Sequence, residues 1–201
     1  MRIIPILIIA LLFFAACGDS HDYSPKPRGY FRIVLPKKAY REYVSNYPFT
    51  FQYPTYAVME KDTQTRITHS LLNMNQLLNM QFPQLNGTLH LSYETITSKK
   101  VFDELVEDAH KFAFKNTVKA TDIDQGNISI PAHKVYGIYY TIGGNAASSV
   151  QFFLTDSVKN YMRGALYFNT EPRLDSIQPV LTFVKQDINV MIATFKWKKQ
   201  E

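Results

Sequence analysis

The chain carries a single cysteine, Cys17, in 201 residues. No intramolecular disulfide, Cys-x-x-Cys redox pair or cysteine-rich zinc site can brace it. Whatever fold it takes must therefore be held by an apolar core. The composition permits one: 46% of the side chains are hydrophobic, 14% aromatic and 19% charged, too apolar for a disordered chain. The net charge of +5 is scattered, with no long block of like charge, so nucleic-acid binding is not indicated.

The position of the cysteine is as informative as its number. Met1-Arg2 opens the chain with a positive charge, and Ile3 to Ala16 is apolar apart from the break at Pro5. That run is shorter than the ~20 residues a membrane span requires, and it ends in small residues, as the apolar region of a secretory signal does. Phe14-Ala15-Ala16-Cys17 resembles a bacterial lipobox, in which the cysteine is lipidated and becomes the mature N-terminus. On this reading 1–16 is a signal peptide, 17–29 a lipidated tether rich in Gly, Pro, Ser and Asp, and 30–201 one folded domain. Cys17 is the lipidation site, and a membrane is the first expected partner.

Within the domain, Tyr30 to Leu35 and Phe49 to Tyr53 read as short strands stopped by Pro36 and Pro54. Gly87 to Ile96 alternates, with Leu89, Leu91 and Tyr93 toward a core and Thr88, His90, Ser92 and Glu94 away from it. Leu71 to Phe82 fits a loop followed by a strand beginning near Leu77. From Ser98 the period lengthens: Val101, Leu105, Ala109 and Phe112 mark a helix to about Val118. Three strands follow, Lys134–Ile142, Ser148–Leu154 and Tyr161–Phe168, the first two joined by Gly143-Gly144-Asn145, which supplies the positive φ of a tight hairpin. Ile177, Leu181, Val184, Ile188, Met191 and Phe195 then form a closing helix, capped by Asp175 with Gln178 three residues on, and with Pro179 in its first turn. The expected fold class is α+β, an antiparallel sheet covered by helices. In element order it is similar to the Mog1/PsbP-like sandwich.

Catalytic machinery is not visible. The five histidines are dispersed, Glu107 and His110 form a single Glu-x-x-His unit where a di-iron bundle needs two, and no Gly-x-Ser-x-Gly elbow occurs. A hydrolase or metal enzyme would need His90, Glu94, Glu107 and His110 to converge. The loop with most promise for a ligand or partner is Gly143-Gly144-Asn145-Ala146-Ala147-Ser148-Ser149, with Gly143, Gly144, Asn145 and Ser148 as its candidate residues. It lies between strands, whereas a phosphate loop opens a helix. Catalytic, metal and cofactor residues are therefore assigned to none, and no small-molecule ligand is indicated.

Tyr47-Pro48-Phe49-Thr50-Phe51, Leu91-Ser92-Tyr93, the run from Gly143 to Phe152, Thr155-Asp156-Ser157, Arg163 to Phe168 and Phe195-Lys196-Trp197, taken in order, resemble the gliding motility lipoprotein GldD family of Bacteroidetes. The resemblance implies a non-enzymatic component or accessory of the gliding apparatus, tied to type IX secretion and supporting other envelope lipoproteins. It carries lipid attachment to Cys17 and brings no catalytic residues. Leu77-Leu78 departs from the aromatic residues expected in relatives. The expected site of action of the anchored domain is the periplasmic face of the outer membrane, with the inner membrane as alternative. A ligand-binding lipoprotein, taking a glycan, lipid or peptide, is the alternative function.

Overall fold

The computed structural model describes residues 33–61, 77–115 and 119–198. In chain order the elements are β1 (Tyr40–Glu42), β2 (Phe49–Thr50), β3 (Gln52–Pro54), β4 (Val58–Lys61), β5 (Leu77–Phe82), β6 (Gly87–Thr95), α1 (Lys99–Phe114), β7 (Ala120–Ile130), β8 (Val135–Gly144), β9 (Ser148–Thr155), β10 (Asn160–Phe168), α2 (Leu174–Thr194) and β11 (Lys196–Trp197). Seven strands form one antiparallel sheet in the order β4-β5-β6-β10-β9-β8-β7, while β1 pairs with β3 and β11 with β2. The α+β class expected from the sequence is what the chain adopts. Among the described residues no helix is long and apolar enough to cross a membrane.

The sheet has two faces of different character. Alternate residues of its strands, among them Met80, Leu89, Leu91, Phe152, Leu154, Met162 and Leu166, pack with Leu181, Val184, Ile188 and Met191 of α2 and with Phe49, Phe51 and Phe195. The intervening residues Phe153, Tyr161, Tyr140 and Ile142 pack instead with Ala109 and Ala113 of α1. Because the two sets alternate along the same strands, α1 and α2 lie on opposite faces. β9 is covered on both, and all eight of its residues are buried. Its near-continuous run Val150-Gln151-Phe152-Phe153-Leu154 is the sequence counterpart of that position.

The helices form for identifiable local reasons. Ser98 caps α1, its hydroxyl accepting from the Val101 N–H at 3.2 Å. Lys99–Asp103, Lys100–Glu104 and Glu107–Lys111 pair along its exposed side, each a minor contribution. The buried stripe of α1 runs through Ala109 and Ala113 with Phe102, Leu105 and Val106, while Phe112 is 46% exposed. That corrects the expected stripe by a fraction of a turn. α2 starts at Leu174, earlier than expected, with Arg173 as cap residue; Asp175 sits in the first turn, where its charge favours the helix dipole, and does not cap. Pro179 is in consequence an interior residue, without the N–H that would bond the Asp175 carbonyl. Phe195 leaves the helix in extended conformation and is fully buried.

Other expectations are also revised. Ile33 to Leu35 is not a strand, and Val34 is 82% exposed. Phe49 to Tyr53 is divided between β2 and β3, which pair with different partners. β4 and β7 were not expected. β7 pairs only with β8 and is largely exposed, so its sequence Thr-Asp-Ile-Asp-Gln-Gly-Asn lacks the apolar alternation of a buried strand. The strand from Leu77, the alternating β6 and the strands β8, β9 and β10 stand as expected. Cys17, the tether and Leu71 to Gln76 lie outside the described residues.

Where β8 pairs with β9 at Gly137, the backbones approach closely. A Cβ built on Gly137 would lie 1.8 Å from the Phe153 carbonyl oxygen, a backbone atom inside the sheet that cannot swing aside. Gly137→Ala is therefore expected to destabilise the domain by about 2–3 kcal/mol or to prevent folding. Urea unfolding followed by Trp197 emission checks this, and a loss under about 0.5 kcal/mol would contradict the close approach.

Candidate functional site

The loop singled out in the sequence joins β8 to β9. Gly144 has φ +78°, as the tight turn requires. The Asn145 side chain reaches across to α2, its Oδ1 accepting from the Leu174 N–H at 3.0 Å, so it satisfies one of the unpaired donors at that helix start. Ser148 is fully buried and donates to the Val150 carbonyl at 3.1 Å. A Cβ on Gly143 would meet the Asp122 carboxylate. Of these two polar side chains, Asn145 fastens the hairpin to α2 and Ser148 bonds within β9.

His90, Glu107 and His110 are each engaged locally. His90 Nδ1 lies 2.7 Å from Asn79 Oδ1, Glu107 bonds Lys111, and the His110 ring packs on Phe114 with centroids 4.2 Å apart. Among the described residues no group of three or more His, Cys, Asp or Glu side chains could hold a metal ion.

Glu94 has a different environment. It lies on β6 opposite Tyr161, diagonal to Arg163, which stands opposite Ser92. Its Oε1 is buried with no hydrogen-bond partner among the described residues, and burial pushes its carboxyl up to about 7. Arg163 is likewise desolvated, which lowers its pKa. One Nη donates to Gln151 Oε1 at 2.9 Å, the guanidinium lies 4.3 Å from the Phe112 ring centroid, and Nε is buried and unpaired among the described residues. The Tyr161 hydroxyl donates to the Leu105 carbonyl at 3.0 Å and ties α1 to this face. Phe112, expected in the core, serves here as a lid over the arginine.

The strongest polar cluster was not foreseen. Asp187 of α2 is 1% exposed and accepts from Lys38 Nζ at 2.8 Å, from the Tyr40 hydroxyl at 2.8 Å and from the Tyr56 hydroxyl in a short bond. The Lys38 ammonium also donates to the Phe183 carbonyl at 2.9 Å and sits 4.0 Å over the Phe183 ring. Burial and the neighbouring carboxylate push Tyr40 up to about 12 and Tyr56 higher. The signal was in the sequence: Asp187 falls between Val184, Ile188 and Met191 on the apolar stripe of α2, where a charge is costly unless paired. The cluster binds the first described segment of the domain to its last helix.

The family model for the gliding motility lipoprotein GldD matches residues 20–197. The chain belongs to the GldD family. Membership implies a lipid-anchored protein of the cell envelope that serves gliding motility. No curated protein matches the chain.

Two outcomes follow from these clusters. Asp187→Ala leaves Lys38 half-buried without its counter-charge and should cost about 3–5 kcal/mol in urea unfolding; a loss below about 1 kcal/mol would show that the cluster carries little of the fold. Glu94 keeps in the folded state a proton that the unfolded chain releases from its ordinary value of 4.5 upward. Stability should therefore fall as pH rises from about 4.5 to about 7 and level off above, and Glu94→Gln should flatten that interval. An unaltered pH profile in Glu94→Gln would place the titration elsewhere.

Proposed function

We propose that this GldD-family protein is a non-enzymatic, membrane-tethered scaffold of the gliding apparatus, linked to type IX secretion, that stabilises partner envelope proteins from the periplasmic face of the outer membrane. The match to the family over residues 20–197 is the observation that carries this reading. Lipidation of Cys17 belongs to it: the only cysteine in the chain follows Ala15-Ala16 at the end of the apolar run. Two or more acyl chains hold a protein far more firmly than one, since each buried methylene contributes about 0.8 kcal/mol.

Tethering supplies the mechanism. A domain confined to a membrane meets partners on that membrane at a high effective concentration, so contacts that are weak in solution suffice for assembly. The outer strand β7 offers a surface for such contacts: it ends the sheet, spans Ala120–Ile130 and is mostly exposed. An extended partner segment can pair with a strand edge of this kind, the backbone supplying affinity and alternate side chains selectivity.

Crosslinked pull-down from native envelopes, comparing wild type with a deletion strain and scoring secretion and surface movement together, tests the reading. Gliding or type IX components should be recovered with the protein and depleted in its absence; unchanged partner levels and intact secretion would refute it. Cys17→Ser should abolish incorporation of labelled palmitate and release the protein from the membrane fraction, and continued labelling would move the anchor elsewhere.

A further inference from the structure

Three separated segments meet at the end of the sheet remote from the β8–β9 loop. One is the 3-10 turn Pro131–His133 between β7 and β8, the second is the turn from Asp156 to Lys159 between β9 and β10, and the third is β11 with Lys198. They enclose a cleft of about 470 Å³, within the range of small-molecule sites. Its lining includes Lys134, Lys159, Lys196 and Lys198 against one carboxylate, Asp156. Trp197 forms part of the wall.

That carboxylate is engaged by its own turn. Asp156 accepts from the backbone N–H groups of Val158, Lys159 and Asn160 and from the Asn160 side chain, at 2.6–2.9 Å. Those bonds hold its pKa down and direct its oxygens into its own turn. Lys134 and Lys196 have no carboxylate within ion-pair distance among the described residues. Lys134 and Lys196 therefore bring ammonium groups to the cleft, while Lys198 Nζ donates to the Ser45 carbonyl in a short bond. Trp197 stands edge-on to Phe49 and Phe195, which fixes its ring, and its indole N–H is buried without an acceptor among the described residues.

A comparison inside the molecule sharpens the role of Lys134. The turns Pro83–Leu85 and Pro131–His133 have the same form, each begun by proline and closed by a left-handed residue, Asn86 at φ 51° and Lys134 at φ 52°. Asparagine tolerates that conformation better than most residues with a side chain. A lysine there is the costlier choice for the turn, and it adds a cation to the cleft.

We propose that this cleft binds a phosphomonoester group, borne either by a lipid headgroup or by a small soluble molecule. The charge surplus suits a group with close to two negative charges and several acceptor oxygens better than a monocarboxylate. The lining contains no arginine, whose planar fork favours bidentate carboxylate recognition, whereas lysines bind phosphate as mobile point charges. The remaining volume, with Trp197 in its wall, accommodates the group that carries the phosphate. This inference does not depend on the scaffold reading.

Trp197 is the only tryptophan in the chain, so its emission reports on the cleft. Full-length protein in neutral detergent is titrated with glycerol 3-phosphate and, separately, with micelles containing phosphatidic acid; glycerol and phosphatidylcholine are the controls. Calorimetric heats are recorded in parallel. A saturable response to a phosphomonoester and none to the controls is expected. Binding should weaken at least tenfold in the exposed double variant Lys134→Asn/Lys196→Gln, with unfolding unchanged. Saturation with glycerol 3-phosphate assigns a soluble ligand, and saturation with phosphatidic acid alone assigns the membrane surface. Neither emission change nor heat in either arm, or equal affinity in the double variant, would overturn the proposal.

Discussion

The buried carboxylate of Asp187 joins parts of the chain that nothing else holds so firmly. Lys38 and Asp187 are 149 residues apart in sequence, and their contact closes the domain from its first described segment to its last helix. A fully desolvated aspartate is tolerable only because three donors converge on it, two of them tyrosine hydroxyls that lie alongside apolar surface. Such a cluster adds less net stability than its geometry suggests, because both charges must first leave water. Its larger effect is specificity: α2 slid by one residue along the sheet would bury Asp187 against hydrocarbon. The aromatic ladder of Tyr43, Phe49, Phe51 and Phe195, with near-parallel rings, is positioned by the same register.

The two faces of the sheet solve different problems. Under α2 the contacts are almost wholly apolar, and that face holds most of the hydrophobic burial of the described residues. Glu94 and Arg163 on the α1 face each have one buried atom unpaired among the described residues. The two buried alanines in the C-terminal half of α1, Ala109 and Ala113, let its backbone lie close to β9, and the Tyr161 hydroxyl donates to the Leu105 carbonyl of the same helix. Burial pushes the Glu94 carboxyl up to about 7, which gives this face a titrating group near neutrality.

What could be read from the chain follows the strength of the local pattern. β6, β8, β9 and β10 were legible because alternation or a continuous apolar run persists for many residues. β7 was not, since an edge strand needs no buried side and its polar sequence is that of a loop. The start of α2 was misplaced because Asp175 has the chemistry of a cap while the actual capping oxygen comes from Asn145, 29 residues earlier. The same limit applies to the sites. The proposed lipidation of Cys17 rests on its immediate neighbours, but the partners of Asp187 and the lysines of the cleft come from segments that only the folded topology brings together.

On the proposed anchoring at Cys17, these features assume a mechanical order. Any pull between membrane and partner enters the domain through the segment that contains Lys38. It passes to α2 through Asp187 and to β3 through the antiparallel pairing of β1. The exposed residues Ile33 to Leu35 add little apolar burial of their own, so the first firm purchase is the ammonium–carboxylate contact. From α2 the load spreads over the whole apolar face of the sheet, whose strands are antiparallel and share it through many backbone hydrogen bonds. On the proposed scaffold reading, a tethered domain needs its entry point tied to its largest core, and a buried ion pair on α2 would do this where the single cysteine excludes an intramolecular disulfide.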